Sequence, residues 1–298
     1  MNFNFFIFLL ACLELAMRFG MLVVLLFSLV LAGCFGTSGI SLSKGNYDIA
    51  PPPSINGAMR HIGKGDSTRV AIASFGAGNP KHFSGKIHNS SQLVGAKDNI
   101  ELPEMDGQIT YRLPLLSGSL EWRQIYGTVN DNEWGAGFGL YPYPYVHLFG
   151  SMNTSISELG VFGLLSASIE TVDYEGVAVE APSTYRDYEL GDYDDKPRNV
   201  QEKNRLVLRG NAEIGVFLNF FIGDFTLSYA PSIYFPWLFW DDLDRYNTTF
   251  FYPMLLMHEF QVGYNISKWN VGLAFRDILS NKLSGNYWQV HLNAAYYF

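Results

Sequence analysis

The charged side chains that could take part in chemistry recur at every second position of several apolar stretches. Charged residues make up only 16% of the chain, against about 25% in ordinary soluble proteins. Because residues two apart in an extended chain lie on the same face, these charges would gather on one side of a sheet. There, arginine and glutamate could pair with one another, which we favour, or line a path for polar solutes. Ten residues share this placement: Arg69, Arg112, Glu121, Arg123, Glu158, Glu170, Arg209, Glu213, Glu259 and Arg276.

Known catalytic motifs do not account for these residues. His258-Glu259 is not followed by a second histidine four residues on, as a zinc-protease helix requires. The sequence holds neither a Gly-x-Ser-x-Gly elbow nor a phosphate-binding loop. The alternating Gly135, Gly137 and Gly139 suit close packing in a strand better than a nucleotide site. We therefore predict no enzymatic activity, no metal and no cofactor. The open alternative is an enzyme of the protease or lipase type, with serine, histidine and carboxylate side chains that meet in space.

Two loops are candidates for an extracellular ligand. The first, 173–203, is dense in carboxylates and tyrosines, and the second, 236–251, begins with an aromatic cluster at 237–244. Carboxylates at this density are typical of a solvated loop, and a Ca²⁺ site is the alternative because that ion prefers oxygen ligands. The aromatic cluster favours a membrane-interface belt, with carbohydrate stacking as the alternative. The acidic residues in the first loop are Asp187, Glu189, Asp192, Asp194 and Asp195.

A two-residue period predicts the elements that position the charges. In the last strand, Trp288, Val290 and Leu292 alternate with Gln289 and His291, whereas a helix would place apolar residues three and four apart. The same period predicts ten strands: 69–76, 107–113, 119–126, 134–152 (interrupted at Pro142 and Pro144), 158–171, 205–220, 224–235, 254–264, 270–278 and 288–298.

The connections between these strands alternate in length. Short turns at 222–224 and 265–267 contrast with long loops at 78–106, 173–203 and 236–251. Short turns on the periplasmic side and long loops outside are typical of membrane barrels. The sequence thus predicts an all-β fold, an antiparallel up-and-down transmembrane β-barrel of about ten strands, with eight to twelve as the range. An even strand count places both ends of the barrel on the periplasmic side.

The composition fits a barrel in lipid. Aromatic residues reach 16%, and beyond the N-terminal region no apolar run approaches the roughly 18 residues of a membrane helix. A soluble β-sandwich is the competing fold. The formal net charge is −8 and no basic cluster is present, which argues against nucleic acid as a partner.

The N-terminus carries a targeting segment, which we separate from the fold. An apolar core at 21–31 follows Met17-Arg18 and ends in Leu31-Ala32-Gly33-Cys34, which resembles a bacterial lipoprotein signal in which Cys34 receives lipid. We expect a signal peptide at 1–33 with the true start at Met17, a flexible lipidated tether at 34–64, and the barrel at 65–298. Because Cys12 falls in the removed segment, no thiol is left for disulfides, metals or catalysis.

The alternation, the turn-and-loop rhythm and the terminal aromatic residue together resemble bacterial outer-membrane β-barrel proteins, over roughly residues 65–298. That resemblance implies that Trp288, Tyr296 and Phe298 act as the signal read by the barrel-assembly machinery. It also implies outer-membrane lipid as a partner and an N-terminus on the periplasmic side, anchored by lipid. A structural or surface-interaction role is the expected function, and a small porin-like channel for passive transport is the alternative.

Overall fold

The computed structural model of the protein describes residues 39–48, 60, 62, 64–79, 82–89, 105–128, 132–179, 198–238, 254–280 and 285–298. The predictions about Met17, Cys34 and the acidic residues 187–195 lie outside these residues. Helices long and apolar enough to cross a membrane are absent from the described ranges.

The described residues form thirteen strands, and the two-residue period of the sequence accounts for most of them. They are β1 (Gly39–Asp48), β2 (Ser67–Gly78), β3 (His82–Asn89), β4 (Met105–Arg112), β5 (Leu116–Gly127), β6 (Asn132–Tyr141), β7 (Tyr143–Asn153), β8 (Ser157–Val179), β9 (Arg198–Ile222), β10 (Phe225–Leu238), β11 (Leu255–Ile266), β12 (Trp269–Ser280) and β13 (Asn286–Tyr297).

Ten of these strands close into an antiparallel barrel. Its wall runs β2-β5-β6-β7-β8-β9-β10-β11-β12-β13 and returns to β2. Closure matters because every wall strand then has a hydrogen-bonded neighbour on both sides, as lipid requires. The predicted fold class and the predicted number of strands are confirmed.

The membership of the wall differs from the prediction at two places. The predicted strand 107–113 corresponds to β4, which lies outside the wall and pairs with β1 and β3. The stretch 134–152 forms two wall strands, β6 and β7, joined by a hairpin at Pro142. The wall loses one predicted strand, 107–113, and gains one through the division of 134–152, so the count stays at ten. Periodicity alone does not say which strands are neighbours.

Side chains alternate across the wall as a membrane barrel demands. On β12, Val271 and Leu273 are exposed on the outside, whereas Asn270 and Arg276 are buried inside. A charge on the lipid face at the bilayer midplane would cost about 2–4 kcal/mol, so the outer parity is apolar. The outer face therefore forms an apolar girdle around the barrel.

The two ends of the barrel differ. At the turn end, the residue pairs Gly223-Asp224 and Ser267-Lys268 join neighbouring strands, and Gly223 and Ser267 adopt positive φ. The chain terminus Phe298 also lies there, where its amide donates to the carbonyl oxygen of Arg69 at 3.0 Å. The opposite end, which we call the loop end, carries the extensions of β8 and β9 beyond the wall. Both predicted short turns are present, the second displaced by about two residues.

A three-stranded sheet, which we call the cap sheet, covers part of the loop end. β1 pairs in parallel with β4 and in antiparallel fashion with the end of β8, and β3 pairs with β4. We expected residues 39–48 to belong to a flexible tether, and they form β1 instead. The sequence carries a signal for this, since Ile40 and Leu42 alternate with serines, but a strand gains its stability only from the strands that pair with it.

Candidate functional site

The barrel interior holds most of the predicted charges, and the wall strands position them. Seven of the ten predicted residues lie on the inner parity and are buried. Charges are almost never fully buried unless they are paired, so their partners decide what the interior can do. The seven are Glu121, Arg123, Glu158, Glu170, Glu213, Glu259 and Arg276.

Three predicted interior charges are not placed there. Arg69 is exposed on the outer parity of β2, near the turn end, and donates from Nε to the Gln124 side chain at 3.2 Å. The prediction was wrong because Val70 and Ile72, not the arginine, point inward on this strand. Arg112 lies on β4, outside the wall, within 3.8 Å of Asp48 and 3.6 Å of Asp173. The side chain of Arg209 falls outside the described part of the chain.

One buried network joins β5 to β7 across β6. Glu121 accepts hydrogen bonds from Arg123 Nε at 2.9 Å and from the Tyr145 hydroxyl at 3.1 Å, and its Oε1 lies 3.0 Å from His147 Nδ1. Charged hydrogen bonds of this kind are stronger than neutral ones. The carboxylate is therefore bonded on both oxygens and is not free to take a solute.

Glycines in β6 make this network geometrically feasible. Gly137 lies between Arg123 and His147 in the sheet register, and a Cβ atom there would clash with the Glu121 carboxylate. Gly139 lies between Glu121 and Tyr145, and a Cβ atom there would clash with the tyrosine ring. The alternating glycines thus serve close packing, as the sequence predicted. Sequence reasoning missed His147 and Tyr145, which the interior parity of β7 would have identified had 134–152 been divided into two strands.

A second buried ion pair spans β11 and β12. Glu259 and Arg276 are directly opposite in the register, and Arg276 donates to Glu259 Oε2 from Nε at 2.9 Å and from Nη2 at 2.6 Å. With Glu213 they border a cavity of about 10 Å³, at most the room for one water molecule. This part of the interior is filled by its own side chains.

Further carboxylates bond to neutral donors. Glu133 accepts from the backbone amide of Ile62 at 2.8 Å and from Asn153 Nδ2 at 2.6 Å. Glu158 accepts from Asn219 Nδ2 at 2.7 Å, and Ser168 donates to Glu170 at 2.9 Å. Within the described residues the buried interior holds six glutamates and two arginines, so carboxyl groups outnumber guanidinium groups there.

The cap sheet packs onto the loop end through an apolar cluster, which we call the cap core. Tyr47 and Tyr111 stack with ring centroids 5.2 Å apart, and Phe83 and Ile109 are buried in the same cluster. Wall side chains complete the cluster from below: Val172, Tyr174, Tyr234, Leu255, Met257, Ile278 and Tyr287. The cap sheet thus packs like the core of a soluble domain.

A serine–histidine contact inside the barrel does not form a hydrolytic site. Ser74 Oγ lies 3.3 Å from His291 Nδ1, but the other ring nitrogen meets Gln289 Oε1 at 3.1 Å, an amide rather than a carboxylate. Both side chains are buried, so a substrate has no access. Groups of three metal-ligating side chains are also absent from the described ranges.

The remaining predicted site residues lie on the outer face. Trp288 and Phe298 are exposed, and the Tyr296 ring packs edge-on against Phe298 at 5.0 Å. His258 lies on the outer parity, with Nδ1 2.8 Å from the Tyr229 hydroxyl. This contact gives the imidazole a polar partner on a largely apolar face.

Searches among known proteins found similarity of fold only. No protein-family description and no curated protein matches the chain. Among solved structures, the translocator domain of the autotransporter NalP from Neisseria meningitidis aligns with a TM-score of 0.34 and 11% identity, over 80% of this chain and 90% of that one. The KdgM porin aligns with a TM-score of 0.28 and 8% identity over 76% and 99%. The attachment invasion locus protein Ail of Yersinia pestis aligns with a TM-score of 0.21 and 9% identity over 79% and 99%.

Proposed function

We propose that this protein is a bacterial outer-membrane β-barrel whose interior is closed to solutes and which serves a structural or surface-interaction role. The cap core is the observation that carries this proposal. Twelve buried apolar side chains at the loop end tie β1, β3 and β4 to the wall. Burial of apolar surface stabilises a folded structure by about 25 cal/mol per Å². The cap core therefore resists the opening of the loop end that a solute path would need.

The outer face of the cap sheet supports a surface role. Its outward side chains are polar and exposed, among them Lys44, Lys86, Asp106 and Gln108. Strands with one apolar and one polar face are built to meet water on one side. A partner outside the cell would meet this face first, together with the stretches 173–203 and 236–251, where we keep the proposed extracellular ligand. The predicted loop bounds were too wide, because 173–179, 198–203 and 236–238 belong to strands.

The conductance of single barrels in a planar bilayer tests the closed interior. We expect folded protein, identified by its altered gel mobility before heating, to insert without conductance steps. Reproducible steps in the wild-type protein would contradict the proposal and favour the second candidate, a porin-like channel. The acid-rich interior predicts that such a channel would prefer cations.

We also propose that Cys34 carries lipid and that it lies on the loop-end side of the barrel. β1 begins at Gly39 and lies at the loop end, and five residues extend at most about 18 Å. This reach places Cys34 on the loop-end side of the barrel rather than on the periplasmic side that the sequence predicts. A tag inserted next to Gly39 should be accessible to antibody on intact cells, and accessibility only after the outer membrane is permeabilised would refute this placement.

A further inference from the structure

Two ionisable side chains lie next to each other within the apolar girdle of the barrel. His258 on β11 and Asp277 on β12 occupy the outer parity and are directly opposite in the sheet register. We call these two residues the girdle pair. Their neighbours along the strands, Leu256, Phe260 and Phe275, are exposed and apolar. A charge on this face costs free energy unless something satisfies it, so the carboxylate calls for a partner.

The girdle pair lies near the loop-end edge of the girdle. On β12 the turn-end edge is marked by Trp269, whose ring lies 4.9 Å from that of Tyr296. From Trp269 to Asp277 the strand rises about 20 Å along the barrel axis, at about 3.3 Å per residue and a tilt of about 40°. The apolar band of such barrels is about 25 Å tall. Asp277 therefore lies close to the opposite edge, where the lipid head groups begin.

The two side chains do not satisfy each other. Within the described part of the chain, Asp277 makes no hydrogen bond and no ion pair, and His258 bonds through Nδ1 to the Tyr229 hydroxyl at 2.8 Å. Both side chains of the girdle pair are partly exposed. Neither the carboxylate oxygens nor His258 Nε2 belong to the buried polar atoms of the described residues. These atoms are therefore accessible to a group that arrives from the membrane.

The girdle pair offers one hydrogen-bond donor and one anion. The Tyr229 ring lies nearly parallel to the imidazole of His258, at an interplanar angle of 9°. When the Tyr229 hydroxyl donates to Nδ1, Nε2 carries the ring proton and can donate to an anionic oxygen. The Asp277 carboxylate only accepts, and an ammonium group bonds to it with charge assistance.

The surroundings of the girdle pair suit the two ends of a lipid head group. Opposite residues in an antiparallel sheet place their Cβ atoms about 4.5–5.5 Å apart, which a phosphate and an ammonium joined by a short link can bridge. Trp288 is opposite Asp277 on its other side and is exposed, and an indole ring attracts cations. Below the pair, exposed Leu273 and Phe275 continue the apolar surface toward the midplane.

We propose that the girdle pair binds the head group of a glycerophospholipid with a primary ammonium, such as phosphatidylethanolamine. The ammonium donates to Asp277 beside the Trp288 indole, and the phosphate accepts from His258 Nε2. The acyl chains lie over Phe275 and Leu273. The inference rests on the proposed membrane barrel, and it is independent of whether the interior conducts solutes.

Native mass spectrometry of the folded barrel tests the proposal. The protein is released from detergent micelles that hold equal amounts of phosphatidylethanolamine and phosphatidylcholine with identical acyl chains. The two lipids share the phosphate, but the ammonium donates hydrogen bonds in the first and is fully methylated in the second. We expect about tenfold more bound phosphatidylethanolamine, because the ammonium can form a charge-assisted hydrogen bond with the carboxylate.

Two variants separate the contributions of the girdle pair, and a third is the matched control. Asp277→Asn should bring the ratio of the two bound lipids close to one, because the amide carries no charge. His258→Phe should reduce the binding of both lipids and keep their ratio, since both carry the phosphate. Asp224→Asn should change neither quantity, because Asp224 is exposed in the turn between β9 and β10, at the other end of the barrel.

The outcomes are distinct. A preference for phosphatidylethanolamine that is lost in Asp277→Asn and kept in Asp224→Asn supports the site. Equal binding of the two lipids by the wild-type protein, an unchanged preference in Asp277→Asn, or tighter binding of anionic phosphatidylglycerol would overturn it and leave the barrel standing. Failure of the wild-type protein to fold in lipid vesicles, seen as unaltered gel mobility, would refute the proposed membrane barrel and with it this site.

Discussion

The barrel wall and the cap sheet use the same two-residue period with opposite solvents. On the wall, Leu273 faces outward and Arg276 inward, whereas on the cap sheet Tyr111 faces the barrel and Gln108 faces out. The wall places apolar groups in lipid and satisfies buried charges with each other. The cap sheet does the reverse, because water lies outside it and a hydrophobic core beneath it. Alternation therefore indicates a strand with two unlike faces, and only the surroundings decide which face is buried.

Loss of the last three residues should have the largest effect. Tyr297 pairs with Val70, and the Phe298 amide bonds to Arg69, so these residues close β13 onto β2. Deleting 296–298 leaves part of β2 without a partner, and we expect little or no barrel in the outer membrane. The measurement is the amount of protein with folded gel mobility in membrane fractions. Deletion of 192–195 is the control, and equal assembly of the two variants would contradict a role of the terminal aromatics in the wall.

A cavity in the cap core should affect the cap and spare the wall. Tyr111→Ala removes a fully buried ring, which we expect to cost about 3–5 kcal/mol, as for other large buried aromatics. The variant should keep its folded gel mobility, yet protease should cleave the cap sheet and conductance steps should appear. Gln108→Ala, on the outer face of the same strand, should do neither. A silent, protease-resistant Tyr111→Ala barrel would show that the cap core does not hold the loop end closed.

A charge on either outer face should distinguish the two solvents directly. Leu273→Lys places an ammonium group on the apolar girdle, and we expect a loss of about 2–4 kcal/mol if the site lies near the midplane. Gln108→Lys makes a comparable change on the water-facing side of the cap sheet and should stay within about 0.5 kcal/mol. Urea unfolding in lipid vesicles measures both. Similar losses for the two variants would mean that the outer faces share one solvent.

A methyl group inside the wall should have the smallest effect. Gly137→Ala adds a Cβ atom where Glu121 and His147 meet, and we expect overpacking of about 1–3 kcal/mol. Gly163→Ala is the matched control, because the nearest atom to its added Cβ is 3.9 Å away. Unfolding in urea again provides the measurement. If both substitutions cost the same, the contact of β5 and β7 across β6 does not depend on the glycine.

Side-chain parity could be read from the sequence for most of the wall, but neighbours could not. Glu121 and Glu213 are each flanked by apolar residues that fix the face they occupy. Arg112 has the same flanking pattern, yet its strand pairs with β1 and lies outside the wall. Two strands with equal periods are interchangeable until the sheet closes, so the pairing of Arg112 with Asp48 and Asp173 was not predictable.

What the sequence by itself determined is most of the wall strands, their two faces and the short turns, because each depends on residues a few positions apart. The tertiary structure alone decided two things: that β1, β3 and β4 leave the wall, and that Glu121 meets His147 across Gly137. These depend on contacts between residues far apart in the chain, such as Tyr47 with Val172. A local period carries no information about which distant strand will supply the other half of such a contact.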